Sequence, residues 1–206
     1  MKNYVITIAR GYGSGGRTIG KMLADQLGIS FYDRELLRLA SDESGINEEL
    51  FAKADESVRN TLLYKIARNI YRGELIPPDS DDFISNDNLF NYQAKIIKGL
   101  AAQESCVIVG RCADFVLRDQ PNVIRVFVHA PLESCIDRLE EMYGEDRKAL
   151  EKKILLTDKK RGIYYKYYTG QEWNDAMNYD LCINTSKLTF EQGVEAIKAF
   201  IQIKLQ

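Results

Sequence analysis

The sequence predicts one α/β domain in which a parallel five-stranded sheet is covered by helices on both faces. Five short apolar runs alternate with longer segments whose apolar residues recur at helical spacing. Strands separated by helices favour a parallel sheet, because each connection must return to the end of the sheet where the previous strand began. The chain has 206 residues, 45% of them hydrophobic, so a core can form without a disulfide or a bound metal.

Each predicted strand is a run of apolar, mostly β-branched residues. The first run leads into a cluster of glycines, the second ends at Asp33 and the third stops at Gly110. Ligands bind at the carboxyl ends of the strands in open α/β sheets, so these positions are candidates for a functional site. The predicted strands occupy residues 5–9, 29–32, 106–109, 123–128 and 181–183.

The predicted helices carry apolar residues at intervals of three and four positions. The first contains Ile19, Met22, Leu23 and Leu27, and Gly28 is suited to end it as a C-terminal cap. Further helices are predicted from residue 34, over 46–73 with a candidate break near 55–57, over 86–103, after Pro131, over 145–168, and from Thr189.

The whole chain, residues 1–206, is predicted to be a single domain. Its core comprises residues of about 1–45, 86–145 and 180–206, interrupted by two helical segments at about 46–85 and 146–179. We expect both segments to lie above the carboxyl ends of the strands, where they could cover a ligand. Residues 77–82 contain two prolines and three aspartates and are predicted to be an exposed loop.

Composition excludes several classes of protein. The formal net charge is −2, which gives no general attraction to nucleic-acid polymers or anionic membranes. No stretch approaches the length of a membrane span, and the N-terminus lacks the apolar region of a signal peptide. Four cysteines without a CxxC pair and a single histidine make a zinc site improbable. We therefore expect a protein of the reducing cytoplasm.

The glycine-rich turn after the first strand has the spacing of a phosphate-binding loop, GxxxxG[K][ST], with arginine in place of lysine. Glycines allow the backbone to turn so that N–H groups converge on phosphate oxygens, and the helix that follows adds its positive dipole end. Arg17 supplies the cation, and the hydroxyl of Thr18 is placed to coordinate a phosphate-bound Mg²⁺. The predicted nucleotide-binding residues are Gly11, Gly13, Ser14, Gly15, Gly16, Arg17 and Thr18.

Two alternatives to a phosphate-binding loop follow from the same glycines. Gly11, Gly13 and Gly16 also match the weaker GxGxxG pattern of dinucleotide-binding enzymes. The acidic residue expected after the second strand of such a fold would be Asp33, which comes early. The second alternative is a glycine-rich turn that binds nothing.

Phosphoryl transfer requires positioning and charge neutralisation by residues from other parts of the chain. Asp33 could bind Mg²⁺ through water, accept the proton of the attacking group, or cap the helix that begins at Arg34. Arg111 follows a buried strand and is a candidate for binding the acceptor phosphate, the alternative being a structural ion pair. Arg38 could reach the same phosphate or be an ordinary solvated charge.

The charged segment near residue 160 contains two further candidates. Lys160 and Arg161 could clamp the phosphates of ATP when the segment closes, or could belong to an exposed helix face with charge pairs. Several tyrosines follow, and with Trp173 we expect them to pack against the body of the domain or to form a dimer contact rather than to stack on a base. Cys112 could have a lowered pKa beside Arg111 or be a small buried filler.

The loop and four later segments together resemble the cytidylate kinase-like family of nucleoside monophosphate kinases. The resemblance spans most of the chain, in the family's order. It rests on residues 6–20, Phe31 to Leu37, Val107 to Arg111, Asp158 to Arg161 with Tyr164 and Tyr165, and Tyr179 to Ser186.

The resemblance implies a P-loop kinase fold, in which residues 46–85 form the helical insertion that binds the nucleoside monophosphate and residues 146–179 form a lid. It also implies that ATP with Mg²⁺ is the donor and that a nucleoside monophosphate, CMP by preference, is the small phosphate-accepting partner. A homodimer is a further expectation.

The chain departs from the family pattern at three places. Arg17 replaces the loop lysine, Cys112 follows the Gly-Arg pair where aspartate is usual, and the lid has fewer arginines and aspartates. These departures leave two alternatives open: a nucleotide-binding regulatory module that has lost its chemistry, and a kinase for another small metabolite.

Overall fold

In a computed structural model, the chain is described over residues 3–57, 74–78, 80 and 82–205. All five strands belong to one parallel sheet in the order β2-β3-β1-β4-β5. Each predicted strand is confirmed, with bounds that differ by at most one residue. The strands are β1 (Val5–Arg10), β2 (Ser30–Tyr32), β3 (Cys106–Val109), β4 (Val123–His129) and β5 (Leu181–Asn184).

The order of the strands places β1 at the centre, paired with β3 on one side and β4 on the other. The connection that leaves β1 leads to β2, on the β3 side, whereas the connection that leaves β3 leads to β4, on the other side of β1. This change of direction opens a crevice at the carboxyl end of β1. The glycine loop begins directly after Arg10, the last residue of β1. This topology puts the loop between the ends of β3 and β4.

Several helices begin or end with a recognisable cap. Gly28, in a left-handed conformation, ends the first helix as predicted, and Thr189 forms a capping box with Gln192 at the start of the last one. The helices are α1 (Gly16–Leu27), α2 (Glu35–Ser44), α3 (Glu48–Ser57), α4 (Asn86–Gln103), α5 (Ala113–Val116), α6 (Leu132–Tyr143), α7 (Arg147–Thr169) and α8 (Phe190–Lys204), with a 3₁₀ turn at Ala176–Asn178.

Both faces of the sheet are covered, as alternation along the strands requires. On one face Ile6 and Ile8 pack with residues of α1 and α8, and on the other Val5 and Ile108 pack with residues of α4, α5 and α7. At roughly 25 cal/mol per Å² of apolar surface, such two-sided burial is the main stabilising contribution to the domain. Among the described helices, none is long and apolar enough to span a bilayer.

Two helical segments differ from their predicted form. Of the helix predicted over residues 46–73, the structure describes α3, which packs on α2 and α4 through Phe51 and Ala54. The remainder, residues 58–73, lies outside the described residues, as do residues 79 and 81 of the predicted loop. The four-residue helix α5 was not predicted, because a single turn carries no periodic signal.

The tyrosines of α7 pack against the body of the domain, as predicted. Tyr165 and Tyr168 are buried in the same cluster as residues of α4 and α5, and Trp173 packs against it. The ring of Tyr168 stacks on Phe90 with centroids 4.0 Å apart. The C-terminal part of α7 is therefore anchored in the core.

Candidate active site

In the glycine loop, the carbonyls of Gly13 and Ser14 point toward the body of the domain. Gly13 and Gly15 have φ angles of 79° and 82°, the left-handed region that glycine adopts without strain. The carbonyl of Gly13 accepts a hydrogen bond from Arg138, and that of Ser14 accepts one from the hydroxyl of Thr185 at 2.7 Å. The first N–H groups of α1 have no partner within the helix, so the loop presents donors suited to an anion.

Phe190 limits the side chain that the loop can carry. A Cβ atom built on Gly15 would lie 2.3 Å from the phenyl ring of Phe190. The same ring lies 5.5 Å from the guanidinium carbon of Arg138, which holds the Gly13 carbonyl. The start of α8 and the middle of α6 thus support the loop from behind.

Arg17 and Asp33, both predicted as site residues, form an ion pair. The Nε atom of Arg17 lies 2.6 Å from Oδ2 of Asp33. The Asp33 side chain is 10% exposed and that of Arg17 is 66% exposed, so the carboxylate is fixed while most of the guanidinium reaches solvent. Helix α2 starts at Glu35 after Arg34, which makes no side-chain cap, so the capping role considered for Asp33 is wrong.

Arg10 is a third member of the site, and we did not predict a role for it. Its Nη2 atom lies 3.9 Å from the second oxygen of Asp33. The side chain passes Gly16 and reaches Gly110, where a Cβ atom would lie 2.4 Å from its Nη1 atom. Burial, followed by repulsion from Arg161, lowers the pKa of Arg10 to about 9.

Helix α7 brings Asp158 and Arg161 to the loop. Asp158 accepts a hydrogen bond from the backbone N–H of Tyr12 at 2.8 Å. Arg161 donates to the carbonyl of Arg10 at 2.9 Å and to Asp158 at 3.3 Å. Both side chains are partly buried, and this burial lowers the pKa of Arg161 and raises that of Asp158. Both residues stand out in the sequence, but their hydrogen-bond partners were not predicted from it.

Arg111 approaches the same place from the end of β3. Arg111 and Cys112 have φ angles of 59° and 53°, in a region that costs a residue with a side chain on the order of 1–3 kcal/mol. Burial lowers the pKa of Arg111, and Asp33 acts in the opposite direction. Burial raises the pKa of the Tyr164 hydroxyl, which has no hydrogen-bond partner in the described part of the chain.

The four guanidiniums around Asp33 form what we call the arginine cluster: Arg10, Arg17, Arg111 and Arg161. Among the residues that the structure describes, two carboxylates, Asp33 and Asp158, lie with these four positive charges. Arg17 is largely exposed, but Arg10, Arg111 and Arg161 are partly buried, and burying cations without an equal number of anions is unfavourable. The cluster is therefore an environment in which a phosphate group would be stabilised.

Two predicted substrate-binding residues lie apart from this cluster. Arg38 is exposed on α2 and pairs with Glu35 and Asp42 of its own helix, at 2.8 and 3.2 Å. Lys160 is exposed on α7. The structure does not bring either into contact with the cluster, and their roles in substrate binding stay predictions.

Cys112 is a buried residue whose pKa is raised well above its usual value, chiefly by burial. The hypothesis of a lowered thiol pKa beside Arg111 is therefore wrong, and the alternative of a small buried filler is confirmed. Burial outweighs the attraction of the neighbouring guanidinium here.

The sequence profile of the cytidylate kinase-like family matches residues 5–187. The chain belongs to the cytidylate kinase-like family. A cytidylate kinase from Methanopyrus kandleri is 26% identical over 212 aligned positions, which cover 98% of this chain and 95% of the relative. A cytidylate kinase from Pyrococcus horikoshii is 25% identical over 198 positions, covering 96% and 88% of the two chains.

Solved structures agree with this family in their fold. An uncharacterised protein from Eubacterium ventriosum has a TM-score of 0.71 and 27% identity, covering 97% of this chain and 99% of that one. A shikimate kinase from Bacteroides thetaiotaomicron has a TM-score of 0.54 at 16% identity, covering 97% of this chain and 98% of that one.

A gluconokinase from Sinorhizobium meliloti also has a TM-score of 0.54, at 15% identity, and covers 98% of this chain and 93% of that one. The predicted P-loop kinase fold is confirmed. This family member is a nucleotide or small-metabolite kinase, which favours the phosphate-binding interpretation of its glycine loop over the dinucleotide one.

Proposed function

We propose that the chain transfers the γ-phosphate of ATP to a nucleoside monophosphate, with CMP as the favoured acceptor. The observation that carries this proposal is the arginine cluster at the phosphate-binding loop, where the described residues contribute four positive charges and two negative ones. Donor and acceptor phosphates would supply the missing negative charge. The preference for CMP is supported by the names of the relatives.

Each group at the site has a proposed task in positioning the two substrates. The loop N–H groups and the start of α1 hold the donor phosphates, and Arg17 neutralises their charge. Arg111 binds the acceptor phosphate from the end of β3, and Arg161 approaches from α7. Asp33 orients Arg17. With a hydroxyl acceptor it would also take the proton of the attacking group, whereas the phosphate of a nucleoside monophosphate is already ionised at about pH 7.

The residues present fit a magnesium ion that is held mainly by nucleotide. In the described part of the chain there is no group of three or more His, Cys, Asp or Glu side chains that could hold a metal by itself. Mg²⁺ in kinases is bound through one or two protein oxygens, substrate phosphates and waters, and it neutralises the charge of the phosphates. Thr18, exposed near the start of α1, and Asp33 would supply the protein oxygens.

The test is a measurement of ADP formation with ATP, Mg²⁺ and a panel of nucleoside monophosphates. We expect turnover with CMP or UMP, reduced at least about 100-fold in the Arg17→Ala variant because charge stabilisation is lost. Shikimate and gluconate, the substrates named by two structural neighbours, belong in the same panel. If only shikimate or gluconate were phosphorylated, the proposed acceptor would be a small metabolite and not a nucleotide.

A second candidate function is nucleotide sensing without turnover. It is favoured by one observation: Arg17, the cation of the loop, forms an ion pair with Asp33 and is therefore not wholly available to a phosphate. ATP binding by the wild-type protein with no ADP formed on any acceptor would support it. Turnover by the wild-type protein that disappears in Arg17→Ala would reject it.

Location and assembly are part of the proposal. The four cysteines are free thiols, which supports a reducing compartment such as the cytoplasm. A homodimer stays a prediction, and sedimentation of the purified protein would test it. Binding to nucleic-acid polymers is not expected from a net charge of −2.

A further inference from the structure

Arg10 occupies a position between the donor loop and the proposed acceptor residue. It is the last residue of β1, directly before the glycine loop, and its side chain reaches Gly110 at the end of β3. Gly110 is followed by Arg111. The guanidinium therefore lies where the reacting ends of two phosphate-bearing substrates would meet, if each substrate occupies its proposed site.

The space for this guanidinium depends on two glycines. A Cβ atom on Gly16 would lie 2.6 Å from Cβ of Arg10, and one on Gly110 would lie 2.4 Å from Nη1. Atoms of neighbouring residues essentially never approach so closely, so any other residue at either position would displace the arginine. The two glycines thus leave room for the Arg10 side chain to extend from the donor loop to the proposed acceptor site beside Arg111.

Among the described residues, three arginines (Arg17, Arg111 and Arg161) and two carboxylates (Asp33 and Asp158) surround Arg10. Arg161 and Arg111 repel it, whereas Asp33 and Asp158 attract it, and Asp33 is already paired with Arg17 at 2.6 Å. The Arg10 side chain is 20% exposed, which leaves little water to solvate it. A group with this surplus of neighbouring cations is stabilised by a bound anion.

We propose that Arg10 contacts the phosphoryl group in transfer, in addition to the cation at position 17 of the loop. The side chain of Arg17 pairs with Asp33 but is 66% exposed to solvent. The side chain of Arg10 is 20% exposed and extends from the end of β1 to Gly110, at the end of β3. A guanidinium that touches the γ-phosphate would bind ATP more strongly than ADP, because ADP lacks that group. This inference rests on the proposed function.

The experiment compares the binding of two nucleotides to one set of variants. Affinities for Mg²⁺ with ADP and for Mg²⁺ with the non-hydrolysable β,γ-imido analogue of ATP are measured by calorimetry. The variants are Arg10→Met, which keeps the length without the charge, and Arg10→Lys, which keeps the charge. Arg118→Met is the control, because Arg118 lies on the ring of Phe115 beyond α5 and outside the proposed site.

We expect Arg10→Met to weaken binding of the ATP analogue by about tenfold or more and to change ADP affinity by less than about twofold. Arg10→Lys should recover part of the loss, and the control should bind both nucleotides as the wild type does. The thermal midpoint of Arg10→Met without nucleotide should equal or exceed that of the wild type, because the substitution removes a repelled, poorly solvated charge.

Each other result has a definite meaning. Equal loss for both nucleotides, no loss for either, or a lower thermal midpoint without nucleotide would make Arg10 a structural support of the loop and overturn the inference. Suppose that the wild-type protein turns over nucleotide and that Arg10→Met prefers the ATP analogue to ADP as strongly as the wild type does. That result would overturn the inference about Arg10 and leave the proposed function standing. Failure of the wild type to bind either nucleotide would overturn the proposed function as well.

Discussion

Asp158, on α7, accepts a hydrogen bond from the backbone N–H of Tyr12 across 2.8 Å. The two residues are 146 positions apart in the chain, so the contact joins the proposed lid to the phosphate-binding loop. Arg161, one turn further along α7, extends the contact to the carbonyl of Arg10. The position of α7 and the shape of the loop are therefore coupled.

Replacing Asp158 by alanine should destabilise the protein and slow its reaction. The change leaves the Tyr12 N–H without its acceptor and removes a neighbouring anion of Arg161. We expect a loss of about 1–3 kcal/mol in the free energy of unfolding, measured by urea denaturation, and a fall in turnover. Lys159→Ala, an exposed neighbour on the same helix, should change stability by less than about 0.5 kcal/mol. Equal effects of the two variants would show that the coupling is absent.

Replacing Asp33 by asparagine should separate binding from turnover. The substitution removes the anion that pairs with Arg17 and Arg10, so those guanidiniums become available to phosphate and ATP affinity should stay the same or rise. Turnover should fall about 100-fold, because the negatively charged carboxylate that orients Arg17 and would help to hold magnesium is lost. Calorimetry and steady-state kinetics measure the two effects. A large loss of ATP affinity with unchanged kcat would contradict the role assigned to Asp33.

Replacing Gly15 by alanine should distort the loop. The new Cβ would lie 2.3 Å from Phe190, and the φ angle of 82° is unfavourable for alanine. We expect the free energy of unfolding to fall by about 1–3 kcal/mol and nucleotide binding to weaken at least tenfold. Gly99→Ala is the matched control: it lies within α4, its Cβ would meet open space, and stability should rise by about 0.5–1 kcal/mol. Nucleotide binding that survives Gly15→Ala would exclude the loop as the phosphate site.

Asp114 should make stability depend on pH. Burial raises the pKa of its carboxyl to about 6, although the hydroxyl of Tyr165 donates a hydrogen bond to it at 2.6 Å. Between about pH 4 and pH 6 the folded protein holds this proton more tightly than the unfolded chain. The free energy of unfolding therefore loses roughly 2–3 kcal/mol as the pH rises through that window, and the contribution is constant above it.

The measurement is urea denaturation of the wild type and Asp114→Asn at about pH 4 and about pH 7. The variant cannot lose the proton, so its stability relative to the wild type should be greater at the higher pH. Asp180, whose pKa is lowered to about 2 by Arg125 and Lys204 despite partial burial, loses its contribution only as the pH falls below about 4. A difference between the two proteins that does not change with pH would show that Asp114 titrates normally.

Features that depend on neighbouring residues in the chain could be predicted from the sequence. A β-branched run specifies a strand, glycines at the loop spacing specify the turn after it, and Gly28 ends α1 because a left-handed residue suits a helix terminus. The five strands and the phosphate-binding loop were therefore predictable. So was the packing of the α7 tyrosines, because large aromatic side chains favour burial.

The tertiary structure alone decided which charged residues form the site. Arg10 and Arg161 are 151 positions apart, and β1 lies between β3 and β4 although its neighbours in the chain are α1 and the N-terminus. Sequence spacing carries no information about such contacts, since they depend on the order of the strands and on where α7 packs. Arg10 was missed because a charged residue that ends a strand is usually solvated. Arg10 becomes a candidate site residue because its guanidinium lies near Arg161, Arg111 and Asp33, and only folding brings these residues together.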